Sequence, residues 1–244
     1  MEEEQVENDT TPHSPLPTPC REASIAGIVL GAGKSSRFGE PKQLLPFGDT
    51  TLLGQSVKNA NASKLDKVVV VLGRASEELR SSVDFGRAEV VENTAYGTGC
   101  ASSLLAGLDA AGECEAIMLL LGDQPGVKTE FIDHAISEWR QKRPWAAVCS
   151  YVGIHEPEAR GEPEVFPHSP LPTPHSPSFG HPFIFDREAF GELRSLHGDK
   201  AVWKLIEAYP GRVSEVEISA DLPPDVDTPE DYETALAFFE RDGA

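Results

Sequence analysis

The feature that most constrains this chain is a series of short apolar runs that alternate with longer amphipathic segments. Runs such as Lys67–Leu72 (KVVVVL) and Ala116–Leu121 (AIMLLL) are rich in branched residues. They lack regular polar alternation, which is typical of strands buried on both faces of a sheet. Strands that alternate with helices form βαβ units. The sequence therefore predicts an α/β fold with a mostly parallel sheet covered by helices on both sides.

The predicted elements follow one another along most of the chain. The predicted strands are Ile25–Leu30, Lys67–Leu72, Glu89–Val91, Ala116–Leu121 and Ala146–Tyr151. The predicted helices are Leu52–Ser63, Ser76–Ser82, Cys100–Ala111, Thr129–Lys142, Arg187–Ser195, Ala201–Ala208 and Pro229–Arg241. Ligands of such sheets bind beyond the carboxyl ends of the strands. We therefore expect the functional site in the loops that start at Gly31, Gly122 and near Gly180.

Two segments differ from this pattern in composition. Residues 1–23 contain acids and prolines but almost no large apolar side chains, which predicts a disordered tail. The octamer PHSPLPTP occurs at Pro12–Pro19 and again at Pro167–Pro174. Such a string is either a ligand for a partner that binds polyproline or an inserted low-complexity repeat. We interpret residues 154–178 as a Pro-rich surface insertion, and residues 24–244 as one domain.

The charge balance excludes several classes of function. The formal net charge is -19, and an acidic surface repels nucleic acid and anionic membrane, so neither is expected as a partner. The four cysteines form no C-x-x-C pair, and no apolar run reaches the about 18 residues that a membrane span needs. The first residues are acidic rather than basic and apolar, unlike a secretory signal. We expect a cytoplasmic protein.

A glycine-rich loop follows the first predicted strand. The segment Gly31–Lys42 combines glycines with basic residues, including Lys34 and Arg37, and such loops bind phosphate through backbone amides and cations. A Walker A loop is excluded because Ile28 stands where its first glycine belongs. The dinucleotide fingerprint is excluded because Ser36 stands where its third glycine belongs.

The residues of this loop instead fit the pattern L-x-(A/G)-G-x-S-x-R-(M/F)-G-x-x-K from Leu30 to Lys42. This pattern resembles the signature of the MobA-like NTP transferase family, which attaches nucleotides to molybdopterin and to sugar phosphates. The resemblance extends from Ile25 to Phe239 apart from the insertion, and it implies a Rossmann-like three-layer α/β/α nucleotidyltransferase domain. It implies nucleotide-binding roles for Leu30, Gly31, Ala32, Gly33, Ser35, Arg37 and Lys42. The last two, Arg37 and Lys42, would also be catalytic because they neutralise the triphosphate.

A second stretch, Glu92–Leu104, is similar to the family segment that surrounds the base and opens a helix. The resemblance implies that Asn93 and Ser102 bind the nucleotide. The chain has Thr98 where the family often has methionine, and the spacing is one residue shorter there. An alternative interpretation is that Ser102 is simply a first-turn residue of the helix.

Two aspartates match the positions at which the family holds its metal. Asp123 follows the apolar strand in the sequence Gly-Asp-Gln-Pro, and the resemblance implies that it is catalytic and binds Mg²⁺. The alternative is an Asx-turn residue. Asp227 precedes Thr228 in the closing motif of the family and would approach the same metal. The alternative is that this motif only starts the last helix.

The tripeptide Gly180-His181-Pro182 resembles an element of the molybdopterin-linked branch of the family, in which it lines the acceptor side of the cleft. His181 is therefore the predicted acceptor-side residue, and a structural role for this histidine is the alternative. Relatives that use GTP carry glycine where this chain has Ala32, and relatives that use CTP carry alanine. The resemblance thus points to the CTP-using branch.

The implied reaction is Mg²⁺-dependent transfer of CMP from CTP to a phosphorylated acceptor such as molybdopterin, with release of pyrophosphate. A molybdoenzyme or its chaperone is the further expected partner. One alternative is a cytidylyl- or uridylyltransferase that acts on a sugar or polyol phosphate. The other is a nucleotide-binding chaperone that delivers molybdenum cofactor without turnover.

Overall fold

The computed structural model describes residues 24–33, 38–73, 76–153, 178–198 and 201–242. The predicted tail and residues 154–177 of the predicted insertion lie outside the described residues. The strands are β1 Ile25–Gly31, β2 Pro46–Phe47, β3 Thr50–Thr51, β4 Lys67–Leu72, β5 Glu89–Glu92, β6 Ala116–Leu121, β7 Ala146–Tyr151, β8 Ser178–Asp186 and β9 Val213–Ile218. The α-helices are α1 Leu52–Ala62, α2 Ser76–Ser82, α3 Cys100–Ala111, α4 Thr129–Lys142, α5 Phe190–Arg194, α6 Ala201–Ala208 and α7 Pro229–Asp242. Short 3-10 helices lie at Lys42–Leu44, Tyr96–Thr98, Arg187–Ala189 and Pro210–Arg212.

The central sheet has seven strands in the order β5-β4-β1-β6-β8-β7-β9. Strand β8 pairs antiparallel with β6 and β7, and the other pairings within the sheet are parallel. The prediction of a mostly parallel sheet is therefore confirmed. Because β1 lies between β4 and β6, the loops that leave all three strands meet at one edge of the sheet.

Apolar side chains of alternate strand residues pack on opposite faces of this sheet. In β1, Ile25 and Val29 join a cluster with residues of α1 and α4, whereas Ile28 and Leu30 join a second cluster with residues of α3, α5 and α6. Both clusters are continuous across several strands, which explains why the strands carry little polar alternation. The three-layer arrangement predicted from the sequence is confirmed.

A smaller apolar cluster holds the last helix against the β2–β3 hairpin. Phe47 of the β2–β3 hairpin packs with Leu52, Val226 and Ala235. Helix α7 begins as predicted: the hydroxyl of Thr228 accepts a hydrogen bond from the amide of Asp231, and the Asp231 carboxylate accepts one from the amide of Thr228. This reciprocal cap fixes the chain immediately after Asp227.

Strand β8 corrects one expectation. The sequence predicted a loop near Gly180, but Gly180, His181 and Pro182 lie within a nine-residue strand that begins at Ser178. A Cβ atom at Gly180 would lie 2.4 Å from Cδ1 of Leu222. The absence of a side chain at Gly180 therefore lets Leu222 pack against this strand. Because β8 is antiparallel to β6, its amino end still lies at the carboxyl edge of β6.

Candidate active site

The glycine-rich loop leaves the carboxyl end of β1 between β4 and β6. Leu30 and Gly31 are buried in the strand, Ala32 is half-buried and Gly33 is exposed. The side-chain amide of Gln43 donates hydrogen bonds to the carbonyl oxygens of Gly31 at 3.0 Å and Gly33 at 3.1 Å. The buried Gln43 thus holds the loop backbone in place. The predicted site residues Ser35 and Arg37 lie outside the described residues.

The methyl group of Ala32 lies where the ends of β1 and β4 approach each other. A Cβ atom at Gly73 would lie 3.0 Å from the Ala32 carbonyl oxygen, 3.1 Å from the Ala32 Cβ and 3.1 Å from the Tyr96 Cβ. Only a residue without a side chain fits between these neighbours without a shift. Three segments that are distant in sequence therefore pack closely around Ala32.

Asn93 organises the segment that leads into α3. Its side-chain nitrogen donates to the hydroxyls of Ser102 at 2.9 Å and Ser103 at 3.0 Å, and its side-chain oxygen accepts from the amide of Ala95 at 2.9 Å. Asn93 is 5% exposed, so these bonds lie largely out of solvent. The hydroxyl of Ser102 also donates to the carbonyl of Gly99. In this conformation, both predicted nucleotide-binding residues shape the loop around the start of the helix.

The charged centre of the site is a lysine between two aspartates. Nζ of Lys42 lies 2.7 Å from Oδ2 of Asp123, 2.9 Å from Oδ1 of Asp227 and 2.6 Å from the carbonyl oxygen of Val226. The side chain of Lys42 is 7% exposed, against 26% for Asp123 and 58% for Asp227. Burial lowers the pKa of the lysine, but the two carboxylates more than offset it, and the pKa lies above its usual value. Lys42 is therefore an ammonium ion here.

Backbone contacts hold the two aspartates near each other. The amide of Val226 donates to the carbonyl of Asp123 at 3.1 Å, which joins the loop after β6 to the segment before α7. The amide of Gly122 donates to the carbonyl of Leu30, so the same loop is also joined to β1. The structure thus brings together Lys42, Asp123 and Asp227, which the sequence had placed far apart.

A third carboxylate, Asp225, lies beside this group. Loss of solvation among the surrounding protein atoms, together with the charges of Asp123 and Asp227, raises the pKa of Asp225 to about 6. The residue itself is exposed, so the neighbouring carboxylates are the firmer cause of this shift. Asp225 was not predicted from the sequence, although it stands only two residues before Asp227.

The donor set suits a magnesium ion that brings other ligands with it. Among the described residues, no three or more histidine, cysteine, aspartate or glutamate side chains form a metal cage. Mg²⁺, however, is usually held by one or two carboxylates while substrate phosphates and water supply the other oxygens. The oxygens of Asp123 and Asp227 converge on one cationic atom, so the residues fit such a metal.

His181 lies in β8 at the same edge of the sheet. Its ring stacks on that of Phe183, with centroids 4.1 Å apart and an angle of 31° between the planes. The hydroxyl of Tyr151 donates to the carbonyl oxygen of His181 at 2.5 Å. Burial lowers the pKa of the imidazole to about 3, so the ring is neutral at physiological pH. The antiparallel strand, rather than a loop, positions this residue.

Gln43 and Gly73, like Asp225, were missed by sequence reasoning. Gln43 directly follows the motif that ends at Lys42, yet its contact with the glycine loop is visible only from the fold. Gly73 follows directly after the apolar run of β4, and a glycine at that place was the available signal.

In the described part of the chain, none of the helices combines the length and apolar character needed to cross a membrane.

The fold and the site together define a nucleotide-binding α/β protein whose glycine loop, cation and paired carboxylates meet at the carboxyl edge of a mostly parallel sheet. The chain belongs to the MobA-like NTP transferase domain family, whose sequence model matches residues 27–213. This is a nucleotidyltransferase family, and the resemblance expected from the glycine loop is confirmed.

Two curated relatives and one solved structure illustrate the similarity. The chain is 30% identical to nicotine blue oxidoreductase of Paenarthrobacter nicotinovorans over 58% of this chain and 70% of the relative. It is 24% identical to the molybdenum cofactor cytidylyltransferase of Escherichia coli over 87% of this chain and 96% of the relative. It is 32% identical, with a TM-score of 0.69, to Rv0371C of Mycobacterium tuberculosis in complex with manganese, over 89% of this chain and 100% of that chain.

Proposed function

We propose that this protein transfers CMP from CTP to the phosphate of a molybdopterin acceptor and releases pyrophosphate. The observation that carries this proposal is the convergence of Lys42, Asp123 and Asp227 beside the glycine loop. A loop of backbone amides, a buried ammonium and two carboxylates are the groups that a triphosphate with its metal requires.

The chemistry needs positioning and charge neutralisation rather than a general base. An oxygen of the acceptor phosphate forms a bond to the α-phosphorus of the nucleotide, and the bond from that phosphorus to the β-phosphate oxygen breaks. The second pKa of a phosphate monoester is about 6, so the attacking oxygen is already ionised at neutral pH. Two anions must nevertheless approach each other, and the residues of the site act mainly against this repulsion.

We assign each residue a role from its position, except Arg37, which lies outside the described residues and takes its role from the family resemblance. The loop Gly31–Gly33, held by Gln43, cradles the triphosphate through its backbone. Lys42 and Arg37 neutralise the negative charge that builds up on the departing pyrophosphate. Asp123 and Asp227 hold Mg²⁺, which when bound withdraws electron density from the phosphate oxygens.

Other residues orient the two substrates. Leu30, Ala32 and the segment held together by Asn93 and Ser102 form the side of the pocket that receives the base. On the opposite side, His181 remains neutral and meets the acceptor through hydrogen bonding and ring contact rather than charge. The positively charged groups of the site then contact an anionic acceptor at its reacting phosphate.

The choice of CTP and molybdopterin is supported by two observations. Ala32 stands where the family resemblance assigns glycine to users of GTP and alanine to users of CTP, and its methyl group lies beside Gly73 at the end of β4. The relative from Escherichia coli that aligns along most of this chain carries the name molybdenum cofactor cytidylyltransferase. The direct test measures pyrophosphate release with each of the four nucleoside triphosphates, with molybdopterin and, separately, with sugar phosphates as acceptors.

We expect release of pyrophosphate with CTP and molybdopterin together and with neither alone. Release with a sugar phosphate would replace the acceptor assignment, and release with GTP would move the chain to the guanylyl branch. Nucleotide binding without release under any of these conditions would favour a non-catalytic carrier and contradict the proposal.

A further inference from the structure

The ammonium group of Lys42 is saturated with oxygen partners. An ammonium has three N–H donors, and in the described part of the chain three oxygens lie 2.6, 2.7 and 2.9 Å from Nζ of Lys42. Two of these oxygens belong to Asp123 and Asp227, the carboxylates proposed to hold the metal. A divalent cation placed between these same two oxygens would take the position of the ammonium, and its positive charge would repel the ammonium.

The negative charges around Nζ of Lys42 favour a cation at this position, and the ammonium can take the place of a metal ion there. Asp123, Asp225 and Asp227 lie together at the sheet edge, in a chain whose net charge is -19. Without a cation between them, the carboxylates would repel one another in a partly buried place. Lys42 supplies that cation from within the protein and satisfies the carbonyl of Val226 as well.

Lys42 is also connected to the loop that cradles phosphate. It begins the 3-10 helix Lys42–Leu44, whose second residue, Gln43, holds the carbonyls of Gly31 and Gly33. A Cβ atom at Gly33 would lie only 3.9 Å from Cε of Lys42. The side chain therefore passes beside the loop, and rotation of its terminal bonds would turn the ammonium towards a phosphate bound there.

From this geometry we infer that Lys42 occupies the cation position between Asp123 and Asp227 in the nucleotide-free protein, so that the metal enters only together with the triphosphate. The phosphate oxygens give the ammonium new partners, and its departure frees the two carboxylates for the metal. The inference rests on the proposed function, because it assumes that these carboxylates hold the catalytic metal. It adds an order of events in which the free protein excludes divalent cations from its active site.

The test measures binding of Mn²⁺ to the full chain by the electron paramagnetic resonance signal of free Mn²⁺, without any acceptor. Because the acidic surface binds cations weakly, the titration is run at about 0.15 M salt. The site of interest is then defined as the binding that Asp123→Asn removes. Wild-type protein without nucleotide should show no such site, whereas protein with CTP should show one beyond the Mn²⁺ held by CTP in solution.

Removal of the lysine charge should allow the nucleotide-free protein to bind Mn²⁺. Lys42→Met keeps the length of the side chain but removes the charge. We expect it to bind Mn²⁺ at least about tenfold more tightly than wild type, the scale of one competing charge-assisted hydrogen bond. Lys42→Arg is the matched control, because it retains a cation and should remain as weak as wild type.

The outcomes separate this inference from the proposed function. Tight Mn²⁺ binding by nucleotide-free wild type, equal to that of Lys42→Met, overturns the inference even if pyrophosphate release is observed. Equally weak binding by Lys42→Met and wild type overturns it as well. If Lys42→Met does not fold, the comparison of wild type with Asp123→Asn, with and without CTP, decides the question alone: loss of nucleotide-free binding in Asp123→Asn contradicts the inference. Absence of pyrophosphate release with these Mn²⁺ results intact would contradict only the function.

Discussion

A side chain at Gly73 would meet the methyl group of Ala32 at 3.1 Å, so the wall beside the glycine loop is closed by contact between the ends of β1 and β4. A methyl group at this place narrows the space available to a base, and small steric changes in a tight pocket give roughly ten- to two-hundred-fold discrimination. We predict that CTP is preferred over GTP by at least about tenfold in kcat/KM and that Ala32→Gly reduces this preference without abolishing turnover. Competition between the nucleotides, run on both proteins, measures it. A native preference for GTP would contradict the prediction.

Gly73→Ala should damage the site through its backbone neighbour. The new Cβ would lie 3.0 Å from the Ala32 carbonyl oxygen, which cannot rotate away as a flexible side chain can. We expect the free energy of unfolding to fall by about 1–3 kcal/mol from overpacking, and kcat/KM to fall by about tenfold or more because the glycine loop has to shift. The matched control is Gly97→Ala, since a Cβ atom at Gly97 has no neighbour within 4 Å among the described residues. Equal activity of the two variants would show that the close approach does not matter.

Gln43→Ala should loosen the glycine loop. The substitution leaves the carbonyls of Gly31 and Gly33 without the side-chain donor that now holds them, a loss of about 1–3 kcal/mol for buried polar groups. We expect the KM for the nucleotide to rise several-fold while kcat changes less, because positioning of the triphosphate is affected first. Steady-state kinetics compare it with Gln141→Ala, which alters an exposed glutamine on α4. A change confined to kcat would contradict a role in holding the loop.

Asp123→Asn should remove turnover and preserve the fold. The carboxylate lies in a loop after β6 and is partly exposed, so its loss does not disturb the apolar clusters. We predict a fall in kcat of at least about a hundredfold, as when a group that stabilises developing charge is removed. Asp49→Asn is the control, because Asp49 also pairs with a lysine but does so at the surface. Thermal unfolding checks the fold, and loss of the thermal transition in Asp123→Asn would make Asp123 a structural residue.

Replacement of Pro157–Pro177 by a short Gly-Ser linker should be tolerated. Tyr151 at the end of β7 lies directly opposite Ser178 at the start of β8, so the chain that joins them only has to close a connection between neighbouring strands. Loop closure depends weakly on length, and we expect the free energy of unfolding to change by less than about 1 kcal/mol. Urea denaturation and pyrophosphate release test this. Normal folding with strongly reduced activity would mean that the segment takes part in acceptor or partner binding.

The sequence predicted the fold well where strands are buried on both faces. The bounds of β4, β6 and β7 were predicted as the structure has them, because unbroken apolar runs between polar turns leave little ambiguity. Strand β8 was missed because Gly180 and Pro182 interrupt its apolar run. Strand β9 was missed because exposed glutamates alternate with its buried residues.

The charged residues of the site came from the family resemblance, but their contacts could not. Lys42 and Asp227 are 185 positions apart, and only the sheet order and the packing of α7 against the β2–β3 hairpin bring them together. The role of Gln43 likewise depends on where two backbone carbonyls point. Ser35 and Arg37 remain predictions.

Acidic residues lie at both edges of the sheet, where they affect association between copies of the protein rather than catalysis. Strands β5 and β9 end the sheet, and each presents two exposed glutamates, Glu89 and Glu92 in one and Glu215 and Glu217 in the other. An edge strand offers unpaired backbone groups on which another copy could extend the sheet. A copy that docked its own matching edge in a register that aligns these glutamates would place like charges opposite each other, which destabilises a strand pair, although Glu89 is partly neutralised by Lys67. The negative charge therefore opposes aggregation through the sheet edges, because edge strands without charged side chains pair more readily with another chain.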